Sequence, residues 1–233
     1  MTAQRVVKDP VERKQELLDV AAALFFERGY EQTTINDIMQ KAGVSKGGFY
    51  HHYSSKEELL EALAARLAQQ SIARFQDVLE EPGIDALTRL KAFFDRARLI
   101  KTEDAPRLRA SFDAVLKPEN VVLHHRINAA VLPVMAPLLA RIIAQGKAED
   151  RFNVPDPKAC AEIVLQLLTG MRDSLKDTID RMETPEAAAA LDGFEQRLRF
   201  IGIAIDRILG LPDGSVLPLE PGESQAMLSA WKS

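Results

Sequence analysis

Thr33-Thr34-Ile35-Asn36-Asp37-Ile38-Met39-Gln40-Lys41-Ala42-Gly43-Val44-Ser45-Lys46-Gly47-Gly48-Phe49-Tyr50-His51-His52-Tyr53-Ser54-Ser55-Lys56 carries the pattern from which the rest of the chain is read. Ile35, Ile38, Met39 and Ala42 recur at helical spacing and stop at Gly43. Ser45 opens a second short run, from Lys46 to about Tyr53. Thr33 or Thr34 can cap the first helix and Ser45 the second, because a short side-chain oxygen accepts from the free N–H groups of a first turn. Small Ala42 lets the two helices approach, Gly43 allows the turn, and Val44 can plug the corner. Two short helices joined through a glycine-containing turn make a helix-turn-helix.

The second of these helices has two distinct sides. Phe49 and Tyr53 share one and are expected to anchor it on Leu24, Phe25 and Ile38. Lys46, Gly47, Tyr50 and His51 share the other. That outward set suits DNA. Lys46 can reach a phosphate or a guanine, and Tyr50 and His51 can hydrogen-bond phosphate oxygens. Gly47 and Gly48 let backbone come close to base edges. The helix N-terminus at Thr34 can offer N–H groups to a phosphate, and Lys56 can add a clamp. Spacing alone leaves an ordinary helix pair open, since each glycine costs a helix about 1 kcal/mol. A head that docks protein is a further alternative.

Outward from the motif, helical periodicity dominates and no strand pattern is found, so the expected class is all-α. Asp9 and Pro10 can start a helix whose apolar face is Leu17, Leu18, Ala21, Leu24 and Phe25, with Gly29 as its stop. Ser54 or Ser55 can cap a fourth helix running to about Leu79, with Glu57 and Glu58 in its first turn. Glu81-Pro82-Gly83 breaks the chain. Helices are expected over about 84–100, 105–116, 119–148, 159–182 and 184–209. Pro133 and Pro137 should kink or split the third of these. The expected domains are a helix-turn-helix head at 1–56, a bundle at 57–210 and a loose tail at 211–233.

Composition is that of a soluble globular protein, with 46% apolar and 27% charged residues among 233. The net charge is −4, but residues 1–56 hold eight Lys/Arg against seven Asp/Glu, while the remainder holds 22 against 27. A slightly basic head on an acidic body fits a nucleic-acid partner. Cys160 is the only cysteine, so no internal disulfide can form. The apolar run Val131–Ala140 is too short to span a bilayer, and the first residues lack a signal-like apolar core, so a cytoplasmic protein with no membrane partner is expected. No phosphate loop, nucleophile elbow or zinc spacing is present. His124 and His125 have Val121 and Val122, not Glu, three residues earlier, which argues against a di-iron bundle. No enzyme, metal or cofactor is therefore expected.

Ala22-Ala23-Leu24-Phe25-Phe26-Glu27-Arg28-Gly29-Tyr30 followed by Thr33–Leu60 resembles the DNA-binding head of tetracycline-repressor (TetR) family regulators. The Ala42–Gly47, Phe49–Tyr53 and Ser55–Leu60 stretches carry the likeness; Gly48 departs from it, standing where that family usually has a small polar residue. The resemblance implies a ligand-responsive repressor: a homodimer on a palindromic operator, released by a small molecule bound in the C-terminal domain. It carries DNA contact to Thr34, Lys46, Gly47, Gly48, Tyr50, His51 and Lys56, and it implies recognition helices roughly 34–36 Å apart. It also implies a two-helix dimer surface. The candidates are Ile163, Leu167, Gly170, Met171 and Ser174, then Leu198, Ile201 and Ile205, with intrachain core as the alternative for both stripes. Phe93, Phe94, Phe112, His124, Met135 and Gln166 are the candidate effector contacts.

Overall fold

The computed structural model describes residues 9–103 and 121–216. Among the described residues there are nine helices and no strand. They are α1 (Pro10–Arg28), α2 (Ile35–Ala42), α3 (Lys46–Tyr50), α4 (Lys56–Glu80), α5 (Ala86–Glu103), α6 (Val121–Ala148), α7 (Pro157–Thr169), α8 (Arg172–Arg181) and α9 (Ala187–Leu209). Two compact units result: residues 9–67 with 121–130, and residues 68–103 with 131–216.

In the first unit, the helix ends are set by local chemistry. Asp9 accepts from the Val11 N–H, and Pro10 sits where no donor is needed. Thr34 and Asp37 form a reciprocal capping box on α2, and Gly43 ends that helix at φ 64, a left-handed conformation that favours glycine. Ser45 accepts from the Gly48 N–H at 3.2 Å and so starts α3. Ser55 accepts from the Glu58 N–H, while the Glu58 carboxylate reaches back to the Ser54 N–H. The core joins the apolar face of α1 to Ile38, Phe49 and Tyr53. Leu59, Leu60 and Leu63, beyond the expected boundary at residue 56, lie in this core, as does Leu123 of α6.

The second unit is built around Leu90, Phe93, Leu139, Ile143, Val164 and Ile205. Phe152 packs so closely against α6 that a Cβ at Gly146 would lie 2.1 Å from its ring, so only glycine fits there. Buried Arg89 ties three elements together. It donates to the carbonyls of Val78, Leu79 and Glu81 at the end of α4 and to Gln145 Oε1 on α6. Gln145 in turn donates to the Ile84 carbonyl ahead of α5. A cation at a helix C-terminus satisfies free carbonyls and the helix dipole together.

Four expectations change here. The single helix over 159–182 is two, α7 and α8. At the break the Thr169 hydroxyl donates to the Gln166 carbonyl, and Met171 bonds back only three residues to Leu168. A competing hydroxyl beside a poor helix former, Gly170, ends the ladder. Of the kink or split expected at Pro133 and Pro137, the split does not occur: α6 runs unbroken from Val121 to Ala148. Helix α3 stops at Tyr50, short of Tyr53. Residues 211–216 are not loose: fully buried Asp206 accepts from the N–H groups of Gly214, Ser215 and Val216 and seats Val216 in the core. Burial pushes the Asp206 carboxyl up, against the pull of those three donors. The helix expected over 105–116, with Phe112, and residues 217–233 lie outside the described residues.

By length and composition α6 could cross a membrane. It carries Arg126 and Arg141, and Leu139, Ile142 and Ile143 on it are buried in the core, the pattern of a core helix.

Candidate nucleic-acid interface

Helix α3 is held from within. Phe49 is fully buried and Tyr53 nearly so, and their rings lie 6.5 Å apart in the head's core. The ammonium of Lys14 on α1 sits 5.2 Å from the centre of the Tyr53 ring. With that side fixed, Lys46, Gly47, Tyr50 and His51 are all exposed, and the Tyr50 side is 47% accessible. Four of the seven expected contact residues thus share one open face, and Gly48 beside them is half-buried. A Cβ at Gly47 would meet nothing within 4 Å, and one at Gly48 only ordinary contacts with Ser45 and Val44. Neither glycine is demanded by the head's own packing.

The other two are engaged within the head: Thr34 caps α2 as expected, and Lys56 is bonded inside the fold. Thr34 spends both its N–H and its hydroxyl on the Asp37 carboxylate, at 2.8 and 2.6 Å. Those bonds hold Asp37 below the usual carboxylate range, so an anion already occupies the start of α2. The N–H groups of Ile35 and Asn36 remain for an outside acceptor. Lys56 is half-buried and donates to the carbonyls of Tyr30 and Thr33 at 3.0 and 3.1 Å, 4.3 Å from the centre of the Tyr30 ring. It locks the corner between α1 and α2, with at most one donor left over. Tyr30, whose hydroxyl donates to Glu57, is pushed up to about 12, by burial first and by the Glu57 charge second.

Sequence reading counted Arg13 and Lys14 but did not bring them to this site. Lys14 and Arg13 of α1 lie close enough to His52 to act on it. Burial, His51 and these two cations hold His52 below its ordinary value of 6.5. The pairing follows from packing of α1 against α3, which local spacing does not reveal.

The body places its candidate residues apart. Phe93, Phe94 and Met135 are packed in the core. His124 belongs to the other unit and lies 3.2 Å from Asn128 Nδ2. Gln166 is exposed and lines a groove of about 410 Å³ between α6 and α7, with Leu132, Pro133, Ala136, Pro137, Lys158 and Glu162. Of the dimer candidates, Ile163 and Gly170 are exposed and Leu167, Ser174, Leu198 and Ile201 half-buried. Met171 and Ile205 are buried, and Ile205 belongs to the body's own core, the intrachain alternative. Phe200, not anticipated, is 60% exposed on α9.

Two family models match. Residues 17–63 match "Bacterial regulatory proteins, tetR family", and residues 107–190 match "Tetracyclin repressor-like, C-terminal domain". The chain belongs to the TetR family. This TetR-family chain is 39% identical over 90 residues to the HTH-type transcriptional repressor KstR2 of Mycobacterium tuberculosis, a match covering 39% of this chain and 44% of that one. The chain therefore spans less than half the length of that relative. A TetR-family regulator from Syntrophomonas wolfei has the same fold with a TM-score of 0.58 at 22% identity, over 84% of this chain and 96% of that one. The regulator FadR from Bacillus subtilis, solved with stearoyl-CoA, gives 0.56 at 20% identity, over 78% and 96%. Within this TetR-family frame, the residues that match the head model include all of α2 and α3.

Proposed function

We propose that the protein is a transcriptional repressor that binds a palindromic operator as a homodimer and lets go when a small molecule occupies its C-terminal body. The observation that carries this reading is the division of α3 into a buried anchor, Phe49 with Tyr53, and an open face of Lys46, Gly47, Tyr50 and His51. A rigid helix with one cation, one phenol, one imidazole and no side chain at Gly47 can lie deep in a major groove. Lys46, Tyr50 and His51 supply the hydrogen bonds, and Gly47 with half-buried Gly48 supplies the close approach. Ile35 and Asn36 N–H groups add a phosphate contact at the start of α2, and Lys56 keeps the corner in shape.

The dimer contact is assigned to the outer faces of α7 and α9, where Ile163 and Phe200 are the exposed large apolar side chains. A cytoplasmic location follows from the DNA target. The test is selection of binding sites from a random duplex pool with the purified protein. The reading expects palindromes with half-sites about one helical turn, roughly 34–36 Å, apart. Recovery of no enriched duplex at low salt would overturn it.

A further inference from the structure

The groove between α6 and α7 has two chemically different walls. Leu132, Pro133, Ala136 and Pro137 of α6 make an apolar one. Lys158, Glu162 and Gln166, each one turn further along α7, make a polar rail opposite. All three are exposed, and among the described residues none of the three side chains has a hydrogen bond or ion pair. Solvated surface carries many such residues, but not in a single file facing an apolar wall across about 410 Å³, a volume suited to a small organic molecule. Pro137 has no N–H, so the Pro133 carbonyl lacks its usual helical donor and adds a further acceptor on α6.

The charges on the rail cancel, with one ammonium and one carboxylate. The rail has acceptors at the Glu162 carboxylate, at its centre, and the Gln166 carbonyl, and donors on Lys158 and the Gln166 amide; the free Pro133 carbonyl stands on the α6 side. A net-neutral rail with a carboxylate acceptor at its centre, beside proline and leucine surface, suits an uncharged molecule with a flat apolar body and hydroxyl donors on one edge.

We propose that this groove binds neutral hydroxylated aromatic or polycyclic molecules, with Glu162 and Gln166 accepting from the hydroxyl edge and the α6 wall covering the apolar face. This deepens the effector part of the reading above and depends on it only for what binding accomplishes. Isothermal titration of the full chain with 2-naphthol tests it, beside 2-methoxynaphthalene, which has the same body without the donor, and 2-naphthoate, an anion. The expected order is naphthol first, with the ether and Glu162→Leu each losing about tenfold and the ether unaffected by Glu162→Leu. Gln166→Leu weakens naphthol as well, and both exposed sites leave the melting temperature unchanged. No naphthol binding, binding indifferent to both substitutions, or tighter binding of naphthoate would each overturn the proposal. Operator binding is scored separately: its failure with naphthol binding intact refutes the repressor reading and leaves the groove assignment standing.

Discussion

A methyl group added at Gly47 would meet no atom within 4 Å beyond its own helical turn and chain neighbours, and the residue's backbone is helical. Replacing a glycine by alanine at such a site narrows the unfolded ensemble and stabilises a protein by about 0.4–1 kcal/mol. The head therefore carries a less stable residue at this point than its own packing requires. If the open space serves close approach to DNA, Gly47→Ala raises the melting temperature and lowers operator affinity. Parallel changes in both, in either direction, would remove that role. His52 offers a second single-residue test. Its folded value lies below the ordinary 6.5, so on acidification the unfolded chain takes up the proton first. Stability is then full above pH 6.5 and declines below it. His52→Gln should flatten that decline in thermal melts; an identical pH profile contradicts the assignment.

Between elements, Lys56 joins the first turn of α4 to the corner between α1 and α2. Lys56→Ala should cost the head roughly 1–2 kcal/mol, from two charge-assisted bonds and a ring contact that are only half shielded. Chemical denaturation checks this, and an unchanged midpoint would return Lys56 to the role of a free phosphate clamp. The clamp was the natural reading of the sequence, where Lys56 stands at a helix start with no visible partner. Its acceptors, the carbonyls of Tyr30 and Thr33, are 26 and 23 residues away, beyond any local pattern. Caps, by contrast, were legible because they are local: Asp9, Thr34, Ser45 and Ser55 all act within three residues of themselves. The division of 159–182 into α7 and α8 was not legible, since apolar spacing continues through Gly170 while the hydrogen-bond ladder does not.

At the scale of the whole molecule, the head was readable and the body only in outline. The head's outward and inward faces on α3 fell where periodicity put them, with Phe49 buried and Tyr50 exposed. On α9 the stripe of Leu198, Ile201 and Ile205 was chosen for dimer contact, yet Ile205 faces the chain's own core and Phe200 faces out. A helix that packs inward on one side and outward on another is apolar on both, and period alone cannot rank them. Phe200→Asp should halve the mass seen by sedimentation equilibrium without lowering the melting temperature, and should weaken operator binding. A mass unchanged from wild type would move the interface elsewhere.

The central claim is that the open face of α3 holds operator DNA, and fluorescence anisotropy against a selected palindrome over a range of salt tests it most directly. The expected result is a linear fall of log affinity with log salt, as counterions are released from phosphates. Tyr50→Ala should bind at least about tenfold more weakly, in keeping with loss of a charge-assisted hydrogen bond, while melting as the wild type does. Wild-type affinity in Tyr50→Ala and in Lys46→Ala, or binding indifferent to salt, would contradict the account.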